Sequence, residues 1–362
     1  MKTHYYILLL LAGLLFFSCS EETQKYRIGI SEPSVNDWRT RLNKELTREA
    51  LFHDDVIMDI LSADDDTILQ IDNIRSMIEN NYDAIIVDPI DSKAITPIIR
   101  EAWAKGIPVV VFNTPTEEEC WTAFHGADNK QIGQQVGLFA LSEFGTSFNI
   151  LEIMGIEGVF STEDRRIGFE QILERFPNVH ILARGYANWD YEDARKLADS
   201  LLRVYPHVDL IFAHNDRMAL GASEAARSQN RNNIQVYGID GTVYTGIQAV
   251  ADGKINATFL HPSDGEQLLR TAIDIVTDKP YTRVNLLPPP TVVTSSNANM
   301  MILQDRALQD GVSRIKLLKT VSGDNEVESA VLVLSIVGGV LLITNIITLI
   351  LLLRSRKRRK QD

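Results

Sequence analysis

From Tyr26 onward, short apolar runs rich in β-branched residues alternate with amphipathic stretches of helical length. The strand-like runs are 27–31, 56–61, 84–88, 108–113, 149–154, 179–184, 210–214, 236–240 and 257–260. The helical stretches are 38–51, 67–80, 93–105, 129–144, 163–175, 191–204, 216–229, 243–252 and 265–277, with apolar residues three and four apart, as in Ile68, Ile71, Ile74 and Ile78. This rhythm predicts βαβ units and parallel sheets in an α/β fold. The runs AIIVD and PVVVF are apolar at successive positions, which suits strands covered by helices on both faces. So many strands exceed one comfortable sheet for this length, so two similar lobes are expected, one ending near His125 and the other near His261. Pro288-Pro289-Pro290 predicts a stiff extended connection.

Two segments stand apart from this pattern. Lys2, an apolar run over 5–17 and Ser18-Cys19-Ser20 read as a secretory signal over 1–19, too short to span a bilayer. Phe16-Phe17-Ser18-Cys19 also fits a lipoprotein cleavage box, so lipidation of Cys19 and its loss with the signal both stay open. Residues 329–353 are uncharged and long enough to cross a bilayer with some tilt. Asp324, Glu326 and Glu328 precede them and the basic run 354–360 follows. Lys and Arg stay cytoplasmic. The expected layout is a signal (1–19), a periplasmic domain (24–300), a membrane-proximal linker (301–328), a single transmembrane helix (329–353) in a bacterial inner membrane, and a cytoplasmic tail (354–362).

Without the seven basic residues of the signal and tail and the one acid of the tail, the remainder holds 29 basic and 47 acidic residues. An exported domain with a net charge of about −18 argues against a nucleic-acid partner. With Cys19 lipidated or removed, Cys120 stands alone, so the domain is held by its core rather than by disulfides.

Parallel strands bring their carboxyl ends to one edge, where ligands bind. Asn113-Thr114, His214-Asn215-Asp216, Asp240-Gly241 and His261 all sit just past strand-like runs. Catalytic signatures are missing. The stretch 241–246 has glycines at P-loop spacing, but Ile247-Gln248 follows where Lys-Ser/Thr is needed. G-x-G-x-x-G, H-E-x-x-H, Cys-His metal spacing and G-x-S-x-G do not occur. The reading is a binding protein, not an enzyme, without cofactor or metal. Asp64-Asp65-Asp66 reads as a helix N-terminus with favourable dipole charge. All seven histidines precede 329, so this chain carries no cytoplasmic phosphoacceptor histidine.

The segments AIIVDPIDSKA (84–94), GIPVVVFNT (106–114), HGADNKQIG (125–133), RRIGFEQIL (165–173), IFAHNDRMALGA (211–222), VYGIDGT (236–242) and INATFLHPSD (255–264) resemble, in order and spacing, the type I periplasmic binding proteins of the ribose/galactose group. The resemblance runs over about 26–295. It implies a two-lobed clamshell of two parallel doubly wound sheets, joined by three crossover strands, with a monosaccharide between the lobes. Carried over by position, Trp38 and Trp189 are the stacking groups. Arg165, Asn215 and Asp240 are polar ligands of the second lobe, Asn113 is that of the first, and His261 stands where a hinge amide is usual. Aromatic planes suit the C–H faces of a sugar, and Asp, Asn and Arg suit its hydroxyls. Asn113-Thr114 replaces the usual Asp-Arg and Asp37-Trp38-Arg39 the usual double Phe, so the implied sugar is not ribose held in the usual way, and Asp37 and Arg39 are expected to supply charged contacts. Each residue also has a plainer role: core packing for Trp38, lobe capping for Trp189, turn chemistry for Asp240, a helix N-cap for Asn215, a surface partner of Glu163 or Asp164 for Arg165, a satisfied hinge histidine for His261.

The whole layout resembles the sensor half of membrane-anchored hybrid two-component carbohydrate sensors. Residues 300–320 fit a membrane-proximal helix, with Leu308, Val312, Ile315 and Lys319 at the spacing of a homodimer seam. Lobe closure on sugar would change how two such helices sit. This reading implies a histidine kinase partner, or a kinase module in a longer sensor. The alternative is the substrate-binding protein of a sugar ABC transporter, favoured by Cys19 and opposed by 329–353. An inert scaffold is opposed by the joint presence of Trp38, Trp189, Arg165, Asn215 and Asp240.

Overall fold

Successive residues of the central strands bury against opposite sides of a sheet, as their unbroken apolar runs require. The computed structural model describes residues 25–323. The expected signal, Cys19, the transmembrane helix over 329–353 and the tail over 354–362 lie outside the described residues. Among the described residues no helix is long and apolar enough to cross a membrane.

The first lobe is built from β1 (Tyr26–Glu32), β2 (Val56–Ser62), β3 (Ala84–Val87), β4 (Val109–Phe112) and β5 (Ala123–Gly126), with helices α1 (Asp37–Ala50), α2 (Thr67–Glu79) and α3 (Ser92–Ala104) between them. In β3, Ile86 joins Ile28, Leu42, Leu46, Val110 and Phe112 on one face. Its neighbour Ile85 joins Ile74, Met77, Val109 and Val111 on the other. Each such side chain contributes roughly 1.5–3 kcal/mol of apolar burial.

The second lobe contains α4 (Asn129–Phe144), β6 (Ser147–Met154), α5 (Phe160–Leu173), β7 (Asn178–Tyr186), α6 (Tyr191–Val204), β8 (Leu210–Ala213), α7 (Asp216–Ser228), β9 (Gln235–Ile239), a π-type turn (Val243–Ile247), the short α8 (Gln248–Ala251) and β10 (Ala257–Leu260). The chain then returns to the first lobe for α9 (Gly265–Val276) and β11 (Val284–Leu286), and crosses back for β12 (Thr291–Thr294). The sheet orders are β11-β5-β4-β3-β1-β2 and β12-β10-β9-β8-β6-β7. Among the described residues every pairing is parallel except β10 with β12. The chain crosses between lobes at 127–128, 261–264 and 287–290. The proline run lies in the third crossing, and Leu287 beside it anchors in the second lobe's core.

A separate unit begins after Ala298, and its described part is the helix α10 (Ala298–Gly323), where a helix is expected over 300–320.

Candidate functional site

In the first lobe the strand ends gather a charged cluster. Asn36 caps α1 by accepting from the Arg39 amide at 2.9 Å, which puts Asp37, Trp38 and Arg39 on the first turn beside the ends of β3 and β4. Asp88, directly after β3 and 3% exposed, accepts from Arg39 Nε at 3.2 Å and Nη2 at 2.9 Å. Its other oxygen accepts from Asn113 Nδ2 at 3.2 Å. Asn113 holds a left-handed backbone (φ 60°), a conformation Asn tolerates better than most residues. Glu32, at the end of β1, accepts from Asn43 Nδ2, and burial pushes its carboxyl up.

The crossing at 261–264 is gripped by α1. Trp38 is buried and stacks on Phe112 (5.7 Å between centroids, 6° between planes) and on His261 (4.7 Å, 17°). Its Nε1 donates to the His261 carbonyl at 3.0 Å. Arg41, three residues further along, donates to that same carbonyl, to the Asp240 carbonyl at 3.2 Å and to Ser263 Oγ at 3.0 Å. One helix of the first lobe thus holds both the crossing and the strand end that carries Asp240.

The second lobe brings its polar groups together through a close crossing of α4 and α5. A Cβ at Gly133 would overlap the Arg165 carbonyl, and one at Gly168 would overlap the Lys130 carbonyl. These two glycines let Arg165 reach Asn129. Arg165 is 3% exposed. Its Nε donates to Asn129 Oδ1 at 2.9 Å, Nη1 to the His214 carbonyl, and Nη2 to His261 Nδ1 at 3.4 Å. Its guanidinium carbon lies 5.6 Å from the Trp189 ring centroid, within cation–π range. Trp189 has φ 58° and lays its ring over Gly155, where any Cβ would strike the indole. Asn215 caps α7, accepting from the Met218 amide at 2.8 Å, and points its amide nitrogen at the Trp189 carbonyl 3.5 Å away.

Asp240 has φ 111°, and a non-glycine residue held there marks backbone strain of the kind that clusters at functional sites. Its carboxylate accepts no hydrogen bond from the described residues. Burial pushes it up to about 6, against the pull of Arg165 and Arg41. Beneath it, Asp216 accepts from the Gly241 amide at 2.8 Å and Thr258 Oγ1 at 2.5 Å. Burial, and then the charge of Asp240, raise Asp216 well above the usual carboxylate range. His261 is driven well below its ordinary value by burial and by Arg165, Arg41 and Arg39, so its ring is neutral. Deeper in this lobe the buried Glu152 accepts from Arg184 Nε at 2.6 Å and pairs with His214 Nε2 at 3.0 Å.

Of the residues picked from the sequence, Arg39 and Asn113 meet on Asp88; Trp38, Arg165, Trp189, Asp240 and His261 lie around the hinge; and Asn215 serves as the cap of α7. Asp37 is exposed and accepts from Thr245 Oγ1 of the π-type turn at 2.5 Å, bridging the lobes beside Lys44, whose Nζ lies 5.2 Å from the Tyr244 ring centroid. The surface pairing with Glu163 belongs to the neighbour Arg166, at 3.1 Å, rather than to the buried Arg165. Asp66 caps α2 through the amides of Ile68 and Leu69. Sequence reading passed over Arg41, Asp88 and Asn129, and placed Asp216 at the strand edge without a partner. Asp88 carried a visible signal, a carboxylate directly after an all-apolar strand. Arg41 carried none, because its partners lie about 200 residues away.

Comparison with known proteins agrees with the two-lobed fold. A family model described as a periplasmic binding protein domain matches residues 28–280. A solved fructose-binding periplasmic domain of a hybrid two-component system is 33% identical, with a TM-score of 0.77 over 81% of this chain and 98% of that one. The ribose import binding protein RbsB of Bacillus subtilis (strain 168) is 27% identical over 294 residues, 77% of this chain and 95% of its own length. An ABC transporter solute-binding protein of Bacillus halodurans C-125, solved with myo-inositol, is 24% identical with a TM-score of 0.73 over 78% of this chain and 99% of that one, and shares the fold.

Proposed function

The chain belongs to the periplasmic binding protein family, and we propose that its two-lobed domain captures one monosaccharide in the cleft, with D-fructose the first ligand to test. The observation that carries this reading is the convergence at the hinge. Trp38 and Arg41 from the first lobe and Arg165 from the second all bond His261, beside an Asp240 carboxylate that no described residue satisfies. A half-buried carboxylate that no described residue partners is well matched to a hydroxyl-bearing ligand. The sugar stacks on Trp189, with Arg39, Asn113, Arg165, Asn215, Asp240 and His261 around its hydroxyls and Asp37 at the rim, while Trp38, expected as the second stacking group, is packed on Phe112 and His261 and supports the hinge. The fructose-binding neighbour supports a hexose, and the named relatives are binding proteins rather than enzymes.

The domain is held in the periplasm by a single inner-membrane helix over 329–353, and lobe closure is passed through the C-terminal segment to a histidine kinase partner or module. The layout and the similarity to a two-component sensor domain favour this reading. A second reading is delivery to an ABC permease, favoured by the similarity to a ribose import protein. A thermal-shift screen of the full chain in detergent against D-fructose, D-ribose, D-allose, L-arabinose and myo-inositol tests capture. One sugar raising the melting temperature supports it, and no shift with any overturns it. Affinity purification from native membranes separates the two outputs, a kinase supporting the sensor and a permease the transporter.

A further inference from the structure

We propose that Arg165 is a positioning residue that fixes the hydrogen-bond polarity of the cleft, holding Asn129 and His261 as donors, so that the ligand must present acceptor oxygens to Asn129 Nδ2 and His261 Nε2. This rests on the sugar-binding reading and adds to it a rule for which sugars fit.

A guanidinium carries five N–H donors and no acceptor. The atom of Asn129 that receives Arg165 Nε at 2.9 Å is therefore the amide oxygen, and the other end of that amide is NH2. The His261 nitrogen facing Arg165 Nη2 at 3.4 Å is therefore a lone pair, and the ring proton sits on Nε2. The third bond, from Nη1 to the His214 carbonyl, holds the fork in place. Asn129 is 1% exposed and His261 3% exposed, and neither Asn129 Nδ2 nor His261 Nε2 has a partner among the described residues. Two enclosed donors without acceptors flank one guanidinium, and buried donors are rarely left unmet.

The groups around His261 keep this arrangement through the physiological range. Arg165 faces it from α5, Arg39 and Arg41 from α1, and all three oppose a second ring proton. Asp240, whose carbonyl accepts from the His261 amide at 3.2 Å, is the carboxylate on that side. The Trp38 ring covers a face of the imidazole. A hinge amide could turn either edge to a ligand, but a histidine pinned through Nδ1 can only donate. A hydroxyl lying between Asp240 and His261 gives its proton to the carboxylate and accepts from Nε2–H. An ammonium group in that place can give a proton to Asp240 but has no lone pair for Nε2–H, so it leaves that donor unmet.

Long-range proton–nitrogen spectra of the full chain labelled at histidine test this, with His261→Gln identifying the resonance. The expected result is an Nε2–H tautomer from about pH 5.5 to 8, a shift of that N–H when D-fructose binds, and mixed tautomers in Arg165→Lys with affinity lowered about tenfold or more. His261→Gln, which keeps a donor, binds within about tenfold of the parent. A proton on Nδ1 or an imidazolium above about pH 6 in the parent protein overturns the proposal. So does an Nε2–H that stays put while a sugar binds, or an Arg165→Lys variant with tautomer and affinity unchanged. If the parent chain is folded and no sugar in the panel binds it, calorimetry sinks the sugar reading and the acceptor rule with it, while the free-protein spectrum still reports the tautomer separately.

Discussion

Asp240→Asn separates what the cleft does for the ligand from what it costs the fold. In the free protein the Asp240 carboxyl is pushed by burial from an ordinary 3.8 to about 6. At 1.36 kcal/mol per pH unit, ionising it inside the fold costs about 3 kcal/mol at most, and about 2 kcal/mol once its partial contact with solvent is allowed for. Because the folded value is raised, its contribution to stability is full below about pH 4 and is lost as pH rises through about 6. Asparagine does not ionise, so the ligand-free variant is expected to be more stable than the parent at about pH 7.5, by roughly 2 kcal/mol, with the gain vanishing near pH 4. Sugar binding moves the other way. Losing two charge-assisted acceptor bonds, at about 1.5–3 kcal/mol each, lowers affinity by at least two orders of magnitude. Denaturant unfolding of both proteins at the two pH values, with titration calorimetry, reads both effects. A variant less stable than the parent at the higher pH would refute the reasoning, since the carboxylate would then be a net anchor for Arg165 and Arg41.

Gly168→Ala forces α4 and α5 apart at the Lys130 carbonyl, and is expected to lower stability by about 1–3 kcal/mol in thermal melts while weakening sugar binding, because Arg165 and Asn129 separate. Thr245→Val removes the bridge to Asp37; an exposed bond worth about 1 kcal/mol changes affinity less than about tenfold, but X-ray scattering of the sugar-free protein is expected to show a larger radius of gyration. Glu152→Gln leaves Arg184 and His214 without their buried carboxylate and is expected to cost about 3 kcal/mol in denaturant unfolding.

The strand–helix alternation was legible because buried parallel strands need apolar residues on both faces, as Ile85 and Ile86 show by entering separate cores. The strands β5, β11 and β12 escaped notice. AFHG and VNL are short and lack a pattern, and their pairing depends on crossings that local periodicity does not encode. Residues just past strand ends, such as Asn113, Asp240 and His261, could be picked because a parallel sheet exposes that edge. Which partner each takes could not. Asp37 looks like a cleft carboxylate until Thr245, more than 200 residues on, is seen to hold it at the rim. Arg41 reads as an ordinary charged position on an amphipathic helix, and only the folded crossing reveals the carbonyls it grips.

Titration calorimetry of the detergent-solubilised full chain with D-fructose and the other sugars of the panel, run side by side with Asp240→Asn, tests sugar capture at the hinge most directly. The predicted result is saturable binding of one sugar per chain by the parent and its loss in the variant. Heat with none of the sugars, or binding that Asp240→Asn leaves intact, would contradict it.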